Sequence, residues 1–403
     1  MQPKTSFLLS LMMFLEYFIW GSWYVTMGTY MGEHLHSTGF QIGAAYGALA
    51  IATMISPFFI GMVADRFFAA QNIMGVLHLV GAVLLFLSTR IVDNGPFYWI
   101  ILFYSLLYMP TIALSNSVAF HQMKDPGRQF PWIRVFGTLG WIAAGLIIGN
   151  LEWEKTSSTF YLAAGVSALL GLISFALPGT PPKGKQAGAT ASQALGTEAF
   201  VLFKYKPYIV FFIAAILVCI PLSFYYGFAN PFLNEIGIKN AASKMILGQV
   251  SEATFILAIP FLFNSIGVKK MLLMGMVAWI LRYLFLGFGN ADGNLWMLYA
   301  GIILHGVCYD FFFITGYMYT EKKAGEKIKN AAQGLFTFAT YGVGMFIGTW
   351  FSGSVVDKYK IGDNAHDWLK IWSVPAYIAG AVLIYFILFF REKKEIAPSP
   401  ATN

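Results

Sequence analysis

The sequence predicts an all-α membrane protein of 12 transmembrane helices in two six-helix halves. Three observations carry that expectation: an apolar composition, a recurrence of apolar runs of spanning length, and a polar break near the middle of the chain. Of the 403 residues, 58% are hydrophobic and only 11% are charged, and the mean hydropathy is +0.64. Too few polar residues remain to coat a water-soluble body, so most of the surface faces lipid. Runs able to cross a hydrocarbon core of about 30 Å as helices recur from end to end.

Taken in order, Gly, Pro and charge clusters punctuate spans at 6–30, 41–63, 70–90, 97–120, 132–150 and 158–178, and then at 208–234, 242–265, 271–289, 295–319, 330–356 and 368–390. The first run, Phe7 to Tyr30, carries Glu16 and lacks a small-residue cleavage site, so it reads as a retained span. Between the halves, 179–207 opens Gly179-Thr180-Pro181-Pro182-Lys183 and continues in Ala, Gly, Ser and Gln, a composition too poor in apolar residues to fold alone. The expected organisation is therefore an N-terminal bundle (1–178), a cytoplasmic linker (179–207), a C-terminal bundle (208–390) and a cytoplasmic tail (391–403).

Charge placement sets the orientation. The formal net charge is +7, and the basic residues flank hydrophobic spans, which points to membrane topology rather than to nucleic acid. Seventeen lie on one side of the proposed spans, including Lys4, Lys124, Lys269 and Lys322, against seven on the other, including Arg90, Lys155 and Lys358. Positive loops stay in the cytoplasm, so both termini are expected there, in a bacterial inner membrane. The two remaining basic residues, Arg134 and Arg282, fall inside spans. Cys219 and Cys308 both lie in apolar segments, so neither a disulfide nor a thiolate metal site is expected.

Two six-helix halves on a cytoplasmic linker point to the major facilitator fold, with a polar site at mid-membrane between the halves. The loop Gly61-Met62-Val63-Ala64-Asp65-Arg66 resembles that superfamily's Gly-x-x-x-Asp-Arg sequence, although Phe67-Phe68-Ala69-Ala70-Gln71 replaces the basic residues that usually follow. Gly61, Asp65 and Arg66 are thus candidates for a conformational loop; the bland alternative is that Asp65 and Arg66 simply end a helix at the interface.

A charge at the centre of a bilayer helix costs about 2.5–3.5 kcal/mol on insertion scales. Five residues qualify: Glu16, Arg134, Glu252, Arg282 and Asp310. They either hold helices together as ion pairs or face a working cavity. Spacing favours the cavity. Arg134, Thr138 and Trp141 fall at i, i+4 and i+7 on one stripe, offering a cation, a hydroxyl and a flat ring. Gln249 and Glu252 share a face of the eighth span, and His305 and Tyr309 share one of the tenth, with Asp310 turned about 100° away. Asp310 then points at a neighbouring helix, where Arg282 is the expected partner. Apart, burial favours the neutral acid; together, the cation favours the carboxylate, and alternation between the two couples a proton to the opening of the cavity. Glu16, Trp20 and Trp23 also share a stripe, which either lines the cavity or packs on another helix. Asn116, Tyr225, Tyr226 and Asn230 are weaker cavity candidates, because a lone polar group often bonds a neighbouring helix. His78 and His121 read as interfacial. A Walker loop, a metal-spaced cluster and a nucleophile elbow are all missing, so the chain is expected to be neither an ATP-driven pump nor an enzyme, and to need no metal or other cofactor beyond a proton gradient.

Phe18-Ile19-Trp20-Gly21-Ser22-Trp23, Met109-Pro110-Thr111, Phe130-Pro131-Trp132-Ile133-Arg134-Val135-Phe136-Gly137-Thr138, Gln249-Val250-Ser251-Glu252, Ala278-Trp279-Ile280-Leu281-Arg282, Tyr309-Asp310-Phe311-Phe312 and Ala332-Gln333-Gly334 occur in that order. Together they resemble the nucleoside:proton symporter family of the major facilitators. The resemblance implies substrate contacts at Arg134, Thr138, Trp141, Ser223, Tyr226, Gln249, Glu252, His305 and Tyr309. The family pattern has Phe in place of Trp141 and Tyr309, Tyr in place of His305, and Gln and Asn in place of Ser223 and Tyr226. The fifth-span run Arg134 to Trp141 is also similar to that of the lactose permease group, whose Arg binds sugar hydroxyls and whose Trp stacks on the pyranose. That group likewise places an acid, an Arg and a proton-carrying acid where Glu252, Arg282 and Asp310 stand.

The first expectation is therefore a proton-coupled symporter importing nucleosides by alternating access, working in the bilayer as a monomer. Arg134, Gln249 and Glu252 bind ribose or base, Trp141 and Tyr309 stack, and Asp310 with Arg282 and Glu252 couples the proton. The alternative is a proton-coupled sugar or glycoside transporter, favoured by Trp141 and the lost amides. A non-transporting receptor ranks last, because the tail after Arg391 leaves no room for an output domain.

Overall fold

The computed structural model describes residues 2–59, 68–182, 197–362 and 365–391. Among these residues the regular secondary structure is helical apart from one isolated bridge between Lys360 and His366. The first half comprises α1 (Pro3–Trp23), α2 (Met27–His34), α3 (Gly39–Phe59), α4 (Ala70–Ser88), α5 (Asn94–His121), α6 (Pro126–Asn150) and α7 (Ser158–Ser174). The second comprises α8 (Lys206–Glu235), α9 (Ala241–Ile266), α10 (Val268–Phe288), α11 (Leu295–Tyr309), α12 (Thr315–Thr337), α13 (Met345–Lys358) and α14 (Trp368–Phe389). Ten helical rods among the described residues are long and apolar enough to cross a membrane, and α7 is a shorter apolar helix.

Several boundaries depart from the sequence expectation for local reasons. The first span is two helices, α1 and α2, separated by a turn at 24–26. The tenth runs on from α11 through a wide π turn, Asp310–Ile314, into α12. Gly325, at φ 68° and ψ 176°, then breaks that rod, a left-handed conformation that glycine adopts without Cβ strain. A second π turn, Phe338–Gly344, precedes α13 in the eleventh position. The end of the expected linker is also more than a tether. Its Phe200-Val201-Leu202-Phe203 cluster gives Thr197–Lys204 a 3₁₀ helix that buries Ala199 and Leu202 against α8 and α12. Gly61, Asp65 and Arg66 lie outside the described residues.

Both halves repeat one pairing scheme. In the first, α1 packs on α6 and α7, α3 on α5, and α4 on α5 and α7; in the second, α8 packs on α13 and α14, α9 on α11, and α10 on α11 and α14. The halves meet through α3 with α13, α6 with α9, and α2 with α8. These seams are close enough to need glycine: a Cβ at Gly43 would lie 2.2 Å from the Thr349 carbonyl oxygen, and one at Gly28 would lie 2.4 Å from that of Gly227. Large apolar side chains such as Trp132, Leu257, Phe261 and Tyr377 stay exposed, as a lipid-facing surface requires.

On the face opposite the chain termini, the halves are locked by a reciprocal pair of carboxylates. Glu154, from the loop before α7, accepts hydrogen bonds from Asn230 Nδ2 (2.9 Å), Asn234 Nδ2 (2.6 Å) and the Ala242 amide (2.8 Å) in the second half. Asp357, near the end of α13, accepts from the amides of Gly39 (2.6 Å) and Phe40 (2.8 Å) in the first. Each half thus caps the first turn of the other's second span, α9 or α3, where unpaired N–H groups and the helix dipole favour an anion. Thr29 Oγ1 extends the seam by donating to Asn230 Oδ1 at 2.5 Å.

Candidate functional site

Between the halves, two polar and aromatic walls face each other. On the first, α1 and the turn after it supply Tyr17, Trp20 and Tyr24, and α6 supplies Arg134, Thr138 and Trp141. The Arg134 guanidinium carbon sits 4.0 Å from the Tyr17 ring centre, a cation–π contact that holds the cation in a membrane interior. Trp20 meets Trp141 edge to face at 5.5 Å, and Tyr24 meets Tyr226 across the divide at 5.5 Å. Below these rings a cavity of about 10 Å³ lies between Gly21, Thr26, Trp141, Gly145, Ile246 and Gln249.

The second wall comes from α8, α9 and α11. Glu252 is about a third exposed and feels Arg134 across the cleft, so opposite charges stand on opposed walls. His305 Nε2 lies 3.7 Å from Glu252 Oε2. Behind it, the fully buried Arg282 donates from Nη1 to His305 Nδ1 at 2.9 Å, with its guanidinium carbon 3.3 Å from the Tyr225 ring centre. The hydroxyls of Tyr309 and Tyr341 are hydrogen-bonded to each other.

Asp310 opens the first π turn, fully buried, and neither carboxyl oxygen has a hydrogen-bond partner. The expected Arg282–Asp310 pair is therefore not formed in this conformation, because Arg282 is turned to His305. Arg282 Nε and Nη2 are also unpartnered. A buried acid without a partner is costly and points to a working group rather than a structural one.

Several sequence expectations are corrected or narrowed by the structure. Glu16 does not line the cavity: it is fully buried inside the first half, accepting from Thr111 Oγ1 at 2.6 Å and lying 2.9 Å from His78 Nε2. His78 is accordingly no interfacial residue but Glu16's partner, held also by Ser167. Ser223 is buried too, and its hydroxyl donates to the Ile220 carbonyl of its own helix and packs on Gly348. Asn230 serves the far-face seam. Trp20 does join the aromatic wall, Tyr226, Gln249 and Thr138 remain partly exposed, and Asn116 is half-buried with an unpartnered Oδ1.

Sequence reasoning missed Tyr17, Tyr24 and Tyr341, and named Tyr225 only as a weaker cavity candidate, not as the ring that carries Arg282. A signal for the first two was present: Tyr17, Trp20 and Tyr24 recur at i, i+3 and i+7, an adjacent stripe to Glu16, Trp20 and Trp23. Trp23 is fully buried, so the tyrosine stripe is the one turned to the cleft.

A cleft between two equivalently packed helical halves, with ionisable groups on both walls, defines a solute transporter of the major facilitator fold. The chain belongs to the nucleoside H+ symporter family, whose model matches residues 3–395. It is 42% identical to a putative nucleoside transporter, YegT, of Escherichia coli, covering 96% of this chain and 94% of the relative. Identity to the xanthosine permease of the same organism is 37%, covering 95% and 94%. The crystal structure of the nucleoside transporter NupG superposes with a TM-score of 0.90 at 32% identity, covering 96% of this chain and all of that one.

Proposed function

We propose that this chain imports nucleosides together with protons across the bacterial inner membrane by alternating access, as a monomer with both termini in the cytoplasm. Opposed charges on the two walls are the observation that carries the reading: Arg134 on one half and Glu252 on the other are bridged most readily by a solute rich in donors and acceptors. Arg134, Thr138, Gln249 and Glu252 bind the ribose and base polar groups, while Trp141, Tyr226 and Tyr309 pack on its flat faces. With the basic loops in the cytoplasm, the carboxylate-locked face is periplasmic, so this conformation has its outer gate shut. Asp310 takes a proton while Arg282 is held by His305, and releases it when Arg282 is freed to approach. No prosthetic group enters the cycle, which the proton gradient drives.

Uptake of radiolabelled uridine and adenosine into transport-deficient cells, with and without a protonophore, tests this. Protonophore-sensitive uptake of either supports it; no uptake of either from protein shown to be in the membrane refutes it. Trp141, partly exposed on the wall, favours a sugar or glycoside as the second reading. Competition of the nucleoside uptake by sugars separates the two.

A further inference from the structure

We infer that Arg282 is a positioning residue for the substrate site, fixing His305 as its Nε2–H tautomer in this conformation so that an N–H donor is aimed at the Glu252 carboxylate. The inference rests on the transport reading above but concerns groups whose state can be read without any substrate. A guanidinium keeps all its N–H groups and accepts nothing. Its Nη1 lies 2.9 Å from His305 Nδ1, so Nδ1 is the bare, accepting nitrogen and the ring's single proton sits on Nε2. The other side of the ring agrees. Nε2 is 3.7 Å from Glu252 Oε2, and the opposite tautomer would set a lone pair against a carboxylate while forcing two donors together at Nδ1.

The surroundings leave the imidazole little room to turn. Tyr225 stacks beneath it at 5.2 Å and 22°, and Tyr225 carries the Arg282 guanidinium on the same ring. Tyr309 lies at 5.7 Å and Tyr226 meets it edge-on at 6.1 Å. On the α9 side, a Cβ at Gly248 would fall 3.1 Å from His305 Cβ, so the helix backbone closes the remaining direction. At 1% exposure His305 barely reaches the cleft, whereas Glu252 is about one-third exposed. The row Arg282, His305, Glu252 therefore acts through its last member. A short turn of the Glu252 side chain brings Oε2 within hydrogen-bond distance of Nε2 and leaves Oε1 for the solute. The buried cation thereby reaches the substrate through a neutral ring rather than by direct contact.

The direct test is ¹⁵N NMR of the purified full-length protein with imidazole-labelled histidine, His305 being assigned by its loss in His305→Gln. A pyridine-type Nδ1 with a pyrrole-type Nε2 is expected; a protonated Nδ1 overturns the inference. Uridine affinity supplies the second arm. A hydrogen bond to a charged group is worth about 1.5–3 kcal/mol, so His305→Phe should bind roughly tenfold or more weakly than His305→Gln, whose amide offers an N–H near the Nε2 position without needing Arg282. In an Arg282→Met background, His305→Gln should recover uridine affinity. Failure to recover it, with both variants folded by size-exclusion profile, assigns Arg282 a merely structural role and overturns the inference. The expected tautomer with no uridine binding by the wild type would retire the nucleoside reading while supporting this one. An Nδ1–H tautomer with protonophore-sensitive uridine uptake would do the reverse.

Discussion

At the scale of single residues, the ionisable groups divide into those bound to partners and those left free. Asp310 has no partner, and Asp310→Asn is expected to abolish proton-driven accumulation of uridine while preserving its energy-independent exchange across the membrane. Persistent proton-dependent accumulation in that variant would remove Asp310 from the mechanism. Glu16 is the opposite case. Glu16→Ala leaves His78 Nε2 with an unmet hydrogen bond in a dry interior, at a cost of about 1–3 kcal/mol, while Thr111 Oγ1 keeps the Tyr108 carbonyl as acceptor, so detergent-solubilised protein should melt at a lower temperature with its uridine affinity intact. These two acids looked alike in the sequence, because both are lone charges in apolar runs. Only their neighbours, which come from helices far away in the chain, tell them apart. For the same reason Ser223 and Tyr225, two residues apart in one helix, could not be sorted into backbone-bonded and cation-bearing roles.

At the scale of elements, the spans were legible because apolar length is a strong signal, while their faces were not. A helix with lipid on one side and protein on the other is apolar all round, so the periodicity that orients a soluble helix is nearly absent. That is why Glu16, Trp20 and Trp23 seemed as good a stripe as Tyr17, Trp20 and Tyr24. The π turns at Asp310–Ile314 and Phe338–Gly344 were also invisible, since one extra residue in a turn leaves no compositional mark. Such turns gather at functional sites, and here the first begins at Asp310. Seam glycines, in contrast, carry a clear prediction. Gly43→Val intrudes on the Thr349 carbonyl and should prise α3 from α13, raising maleimide labelling of a cysteine placed in the seam. Unchanged labelling would mean that the seam takes up the larger side chain without parting.

At the scale of the whole molecule, the two halves were expected from the polar break at 179–207, and the lock between them was not, because Glu154 and Asp357 sit in loop-proximal positions that resemble any other surface acid. Removing a lock should bias the equilibrium. Glu154→Gln and Asp357→Asn each weaken charge-assisted bonds across the seam, and each should raise the population open on the far face by roughly tenfold, read as longer distances between spin labels placed on α3 and α13. A distance distribution identical to wild type would show that the apolar seam alone keeps that face shut. The chemistry of the lock also bears on how fast and how evenly the protein can cycle. Every group in it, the two carboxylates, the amides of Asn230 and Asn234 and the first N–H groups of α3 and α9, is one that water can serve equally well. When the face parts, solvent takes over each bond as it breaks, so the seal is worth only the difference between two hydrated accounts of the same groups. An oily plug of the same size would hold the shut state down in proportion to its area; a rehydratable one leaves the two states close in free energy, where a single proton or solute is enough to choose between them.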